Sequence, residues 1–253
     1  MSGHSKWANI KHKKAKTDAQ KGRMFSKVTK EIIMAARHGG GNPDANIRLK
    51  TAIIKAREVN LPMENISRAI KRGTGELEGV QYEELVYEGY GPGGVAMMVE
   101  VTTDNRNRAA SDIRYLFSKH GGNLGESGSV SWMFKKVGYI TVDRADCRLS
   151  EDDLMLAALD AGATDFKAEE DMFEVFTEPD PGAVDSVKEA LKRHGVKVAV
   201  AEITMAPSST VTLTGEEAAR MLRLVDALED QDDVQKVHAN FDIPQSEMEE
   251  YTD

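Results

Sequence analysis

Residues 137–203 read VGYITVDRADCRLSEDDLMLAALDAGATDFKAEEDMFEVFTEPDPGAVDSVKEALKRHGVKVAVAEI. A strand is predicted at Tyr139 to Val142 and a helix from Ser150 to Ala161, followed by strands around Asp165 to Lys167 and Met172 to Thr177. A second helix from Pro181 to His194 and a last strand at Val196 to Val200 complete the series. The order βαββαβ is that of the ferredoxin-like split unit.

On either side lie incomplete pieces. Before the series come a strand at Val95 to Val101, a helix from about Asn107 to His120, and a strand near Val130 to Phe134. After it come a helix opened by the capping box Thr214-x-x-Glu217, with Met221, Leu222, Val225 and Leu228 inward, and a strand near Val234 to Ala239. Together these nearly make a second such unit. The expectation is a discontinuous middle domain, 80–135 plus 207–241, interrupted by an acidic domain at 136–206 and followed by an acidic tail, 242–253.

Upstream the periodicity becomes helical. Phe25, Val28, Ile32 and Ala36 recur at three and four residues, and Gly39 stands where a left-handed stop belongs. Asn42-Pro43 is expected to cap and open a second helix carrying Ile47, Ile54 and Val59; Pro62 opens a third with Ile66, Ala69 and Ile70, ending before Gly73. The fold class is therefore α+β and multidomain. An N-terminal three-helix bundle with a basic arm, residues 1–79, precedes two α/β ferredoxin-like domains, the third inserted in the second.

Charge is divided unevenly. Residues 1–75 hold seventeen Lys/Arg against five Asp/Glu, a net of +12, whereas the remainder holds sixteen against thirty-seven, a net of −21. Such a chain attracts a polyanion to one end and repels it from the other. The segment Gly3 to Thr17 concentrates Lys6, Lys11, His12, Lys13, Lys14 and Lys16 with few apolar anchors, and cannot order itself by burial alone. Lysines that neutralise phosphates release condensed counterions, giving salt-sensitive and largely sequence-independent binding. The excess continues through Lys21, Arg23, Lys27, Lys30, Arg37, Arg48, Lys50, Lys55, Arg57, Arg68, Lys71 and Arg72. Trp7 is a candidate for stacking on a base, with the anchor of a small core as its more economical role. Arg106 and Arg108, where a strand feeds a helix, form a candidate phosphate clamp, against the alternative of exposed arginines beside a capped helix.

Other functions find less support. Cys147 stands alone, and the six histidines lack metal-ligand spacing; His38, His120 and His194 fall at helix ends, where capping explains them. Gly89-Tyr90-Gly91-Pro92-Gly93-Gly94 matches G-x-G-x-x-G in letters only, since it leads into a strand, and reads as a turn. Gly125 to Ser129 fails the nucleophile elbow because Ser129 replaces its last glycine. The acidic clusters read as helix starts and solvated turns. No cofactor, metal or small-molecule substrate is expected, and the chain is expected not to be an enzyme. With no apolar run of membrane length and no signal-like N-terminus, a cytoplasmic location without membrane partners is expected.

The stretch Gly3-His4-Ser5-Lys6-Trp7-Ala8-Asn9-Ile10-Lys11-His12-Lys13-Lys14-Ala15-Lys16-Thr17-Asp18, with Phe25-Ser26-Lys27, resembles the YebC family of gene-expression regulators. So do Asp104 to Arg108, Ser111 to Arg114, Phe117 to Gly125 and Gly128 to Phe134. Ser2 departs from the alanine common there. The resemblance implies three domains, one helical and two α/β, and a non-enzymatic role. Its bacterial members are labelled DNA-binding transcriptional regulators; its mitochondrial relative is a translational activator, and bacterial relatives have been connected with ribosomes stalled on proline-rich products. A DNA regulator usually presents a recognition helix and a dimer matched to two half-sites, and neither is identifiable in the sequence. A ribosomal factor needs only an arm that folds on rRNA while the acidic body faces solvent or a protein partner. The expected partner is thus nucleic acid, rRNA of the ribosome or promoter DNA, with the balance toward the ribosome.

Overall fold

The computed structural model describes Trp7 and residues 18–252. The chain divides into two compact units: one spans 134–208, and the other joins the segment before it to the segment from 209 onward.

In the larger unit, residues 18–73 form the helices α1 (Asp18–Gly39), α2 (Ile47–Glu58) and α3 (Met63–Gly73). Val28, Ile32, Ile33 and Ala36 of α1 pack with Leu49, Ala52, Ile53 and Ala56 of α2 and with Ile66 and Ala69 of α3. The second helix starts later than its sequence suggests. Asn42 makes only a turn, its Oδ1 accepting from the Asp44 N–H, and the cap is Asn46. Buried Asn46 accepts from the Leu49 N–H at 3.0 Å and donates to the carbonyls of Ala35 and Gly40, both at 2.8 Å, so one amide closes two helix ends. Asn46→Ala removes all three bonds and orphans a buried carbonyl; a loss of about 2 kcal/mol is expected, read as a lower unfolding midpoint in urea. The third helix runs one residue further than expected, because Gly73 lies against α1 where a Cβ would stand 2.5 Å from the Ile33 oxygen.

The same unit carries an antiparallel sheet built from β1 (Glu83–Tyr90), β2 (Ala96–Thr103), β3 (Asn123–Leu124) and β9 (Val234–Ala239), in the order β3-β1-β2-β9. Helix α4 (Arg106–Lys119) crosses from β2 to β3, and β1 lies between them, which is a split βαβ arrangement. Strand β1 was missing from the sequence expectation. Its glutamates obscure the alternation that sends Leu85 and Tyr87 to the core, and short β3 covers only its last two residues, so charge on its outer edge is tolerated. The β1–β2 turn contains Pro92 with Gly93 and Gly94 at φ 68° and 77°, a hairpin turn and not a nucleotide loop.

Helices α4 and α7 (Gly215–Glu229) fill one face of this sheet with Ile113, Phe117, Met221, Leu222, Val225 and Leu228. The capping box expected at Thr214 does not form. Thr214 makes no side-chain cap; Gly215 takes φ 59°, and its N–H donates instead to Glu247 of α8 (Gln245–Thr252) at 2.6 Å. Between α7 and the unit boundary, β8 (Val211–Thr212) pairs in parallel with β10 (Phe241–Asp242).

Residues 134–208 form the second unit. Strands β4 (Phe134–Asp143), β5 (Asp165–Ala168), β6 (Met172–Thr177) and β7 (Val200–Pro207) stand in the antiparallel order β5-β6-β4-β7, with α5 (Glu151–Asp160) and α6 (Pro181–Arg193) as crossovers. This is the βαββαβ unit. Ser150 caps α5 by accepting from the Asp153 N–H, and Glu151, Asp152 and Asp153 occupy the first turn, where the helix dipole favours acids. Asp180 caps α6 ahead of Pro181 in the same way. The last strand is displaced from Val196–Val200: past Gly195, at φ 75°, the chain first buries Val196 in the core, and pairing begins only where Val200 meets Thr141.

Candidate nucleic-acid interface

The basic ridge of α1 does not point free into solvent. Arg23, Lys27 and Lys30 recur at helical spacing and meet the turn that follows α7. Arg23 pairs with Asp230 at 3.0 Å, and the Lys27 ammonium donates to the Glu229 carbonyl at 2.5 Å. Lys30 is only 9% exposed; it donates to the Asp232 carbonyl at 2.8 Å, pairs with Asp233 at 2.6 Å and sits 5.6 Å from the centre of the Tyr82 ring.

Asp233 gathers more than Lys30. Its second oxygen accepts from Thr103 Oγ1 and from the Arg108 guanidinium, both at 2.9 Å, while Arg108 also bonds Asp104 at 2.6 Å. Burial alone would push the Asp233 carboxyl up; the bonds from Lys30, Arg108 and Thr103 outweigh it and hold the carboxyl below its ordinary range. Arg108 is accordingly committed to two carboxylates. Arg106 is exposed and, among the described residues, its side chain has no ion-pair partner; only its carbonyl is engaged, by Tyr87. The two arginines therefore do not form a matched clamp.

A cleft of about 450 Å³ lies between α1, α2 and the β1–β2–β9 sheet. It is lined by charges of both signs, among them Lys27, Glu31, Lys55, Glu84 and Glu100. Arg48 bonds Glu84 across it, and Lys55 reaches Glu31 at 3.4 Å. Such a lining does not select a polyanion.

What remains unpaired in the helices is a smaller set. Lys50 and Arg57 flank Ile47 and Ile54 on the face of α2 turned away from the core, and Lys71 and Arg72 end α3. All four are exposed, and none has a carboxylate partner among the described residues. Lys6, Lys11, His12, Lys13, Lys14 and Lys16 lie outside the described residues, as does the side chain of Lys21.

Trp7 is corrected. At 1% exposed it belongs to the core under the middle sheet, its ring edge-on to Tyr251 at 5.5 Å and its Nε1 donating to Asp226 at 3.2 Å. No ring face is left for a base. Burying the indole there ties Trp7 to α7 and α8, the anchoring role that its sequence setting favours over stacking.

Glu88 is a further organising residue that sequence reasoning missed. Its buried carboxylate accepts the backbone N–H groups of Gly128, Val130 and Ser131, each at 2.8 Å. Burial pushes this carboxyl up, yet the three backbone bonds and the Ser131 side chain hold it below its ordinary range. This contact explains why Val130 to Phe134 is not the strand expected from its residues. Its amides are spent on Glu88, the chain turns through a short 3-10 segment at Ser131–Met133, and pairing resumes only at Phe134. Among the described residues, no group of three His, Cys, Asp or Glu side chains is placed to hold a metal ion, and no helix is long and apolar enough to cross a membrane.

Two family descriptions match the chain: the TACO1/YebC protein N-terminal domain over residues 5–76, and the TACO1/YebC second and third domain over residues 82–241. A protein of Pelotomaculum thermopropionicum named "Probable transcriptional regulatory protein" is 58% identical over 243 residues, covering 96% of this chain and 99% of its own length. One of the same name from Halothermothrix orenii is 55% identical over 254 residues, with full coverage of both. The crystal structure of a conserved hypothetical protein from Aquifex aeolicus superposes with a TM-score of 0.81 at 53% identity, covering 94% of this chain and 97% of that one. With both domain descriptions matched and identity above one half along nearly its whole length, the chain belongs to the TACO1/YebC family.

Proposed function

We propose that this protein regulates gene expression by binding nucleic acid without catalysing a reaction. The observation that carries this reading is the charge division: a net of +12 in residues 1–75 on a chain of net charge −9. Intramolecular carboxylates and carbonyls engage Arg23, Lys27, Lys30 and Arg48. The contact surface is therefore assigned to Lys6, Lys11, Lys13, Lys14 and Lys16 of the arm, supported by Lys50, Arg57, Lys71 and Arg72, with Arg106 as a separate contact. Phosphate contacts of this kind position a protein and carry no base code.

The target we favour is rRNA, in a ribosome-associated factor that relieves stalled peptide synthesis. Lys11, Lys13, Lys14 and Lys16 would grip phosphates while the middle domain reaches the functional centre. An arm of clustered lysines suits shape and backbone recognition better than a groove code. The printed name of the relatives, a transcriptional regulator, favours DNA as the second reading. Crosslinking in cells followed by sequencing separates them: rRNA near the tRNA sites supports the first, discrete promoter fragments the second. In vitro, the Lys13→Glu/Lys14→Glu double variant is expected to lower the slope of log affinity against log salt by about 2. An unchanged slope removes the arm from the interface.

A further inference from the structure

Three glycine-bearing motifs that are separate in sequence converge at one end of the middle sheet. Tyr90 pairs with Asn123; a Cβ on Gly122 would stand 2.6 Å from the Tyr90 oxygen, and one on Gly89 would stand 2.6 Å from the Asn123 oxygen. The Gly125 N–H donates to the Glu88 carbonyl at 2.8 Å, one step before the loop that the Glu88 carboxylate holds. Side chains at these glycines would force the segments apart.

This packing presents two aromatic rings. Trp132 is 73% exposed, and Tyr90 is 38% exposed. The Trp132 Nε1 and the Tyr90 hydroxyl both donate to the same carbonyl, that of Ser129, at 3.1 and 3.2 Å. With each polar atom satisfied internally and the loop held by Glu88, the Trp132 ring stays largely in water beside a partly exposed Tyr90. An exposed tryptophan held in this way contributes nothing to the core; it is preorganised for a flat apolar ligand.

Exposed cations lie at the end of α4, which leads into the glycines packed against Tyr90. His120, the residue that ends α4 and leads to Gly121 and Gly122, lies within the field of Lys119 and Arg223. Both cations are exposed, and neither has a carboxylate partner among the described residues; Lys119 rests near the Tyr115 ring at 5.8 Å. Glu126 is the opposing exposed charge on the loop. An exposed π face takes a base, and exposed cations on the same unit attract its phosphate.

We propose that Tyr90 and Trp132 form a stacking platform for an unpaired nucleotide, so that the middle domain contacts single-stranded or looped nucleic acid. This rests on the nucleic-acid reading above and names the form of its ligand.

The test uses the full chain with a labelled single-stranded RNA oligonucleotide and the duplex of the same sequence at fixed salt. Trp132→Ala should weaken single-strand binding roughly tenfold, leave duplex binding within about twofold, and retain the wild-type melting temperature; Trp132→Phe should recover most of the loss. Equal affinity of Trp132→Ala and wild type for the single strand overturns the platform alone, as does an equal loss on both probes. If wild-type protein binds neither RNA, the platform and the rRNA reading both fall, and the DNA reading is left. A photoreactive side chain at position 132 that crosslinks in cells to protein and never to nucleic acid also overturns the platform.

Discussion

Asp233→Ala is expected to destabilise the larger unit by about 3–5 kcal/mol, a fall in melting temperature of roughly 10 °C. The change leaves the Lys30 ammonium largely buried without its carboxylate and frees Arg108 and Thr103 at the same point. The cost comes from the stranded charge as much as from the lost attraction, so it should be non-additive. Lys30→Met should cost less by itself, because Asp233 keeps Arg108 and Thr103. The double variant Lys30→Met/Asp233→Ala should cost less than the sum of its parts. Urea denaturation of the four proteins closes this cycle, and strict additivity would mean that Lys30 and Asp233 do not interact.

Glu88→Gln is expected to cost about 3 kcal/mol and to loosen residues 125–133. A carboxylate offers acceptors to all three N–H groups; an amide must turn an NH2 toward at least one of them. Amide hydrogen exchange at Gly128, Val130 and Ser131 should accelerate in the variant. Unchanged protection there would show that the loop is held by something else. The same carboxyl imposes a pH dependence. Because the folded state holds Glu88 and Asp233 below their ordinary values, each contributes stability above the unfolded pKa, and that contribution is lost as pH falls through the folded one. Acid melting curves should therefore steepen below the ordinary carboxylate range, and Glu88→Gln should flatten that slope.

Asp233 also shows how part of the basic end is engaged. The positive helices are not simply a polyanion surface, since Arg23, Lys27 and Lys30 dock on the acidic turn at 229–233. The charge division read in the sequence thus has two consequences among the described residues: part of α1 is neutralised within the molecule, and Lys50 and Arg57 on the outer side of α2 and Lys71 and Arg72 at the end of α3 stay exposed without carboxylate partners.

Much of the architecture was legible in residue order alone. The 137–203 series, the apolar spacing of α1 and α7, and Met172–Thr177 and Val234–Ala239 as strands follow from local periodicity, because a strand or helix with one buried face carries its period wherever it packs. The Asn46 cap, strand β1 and the turn at Val130 to Phe134 did not, since each depends on a partner distant in sequence. Asn46 answers carbonyls of the preceding helix, β1 hides glutamates on an open edge, and residues 128–131 answer Glu88 from some forty positions away. Charge sign and periodicity are properties of the chain, and the sequence by itself determined them: an α+β protein with a basic helical start. Which charges remain unpaired, which tryptophan is buried and which exposed, and which glycines permit close approach are properties of pairs of residues. Only the tertiary structure decided them, because burial and ion pairing are set by what folding brings within a few ångströms.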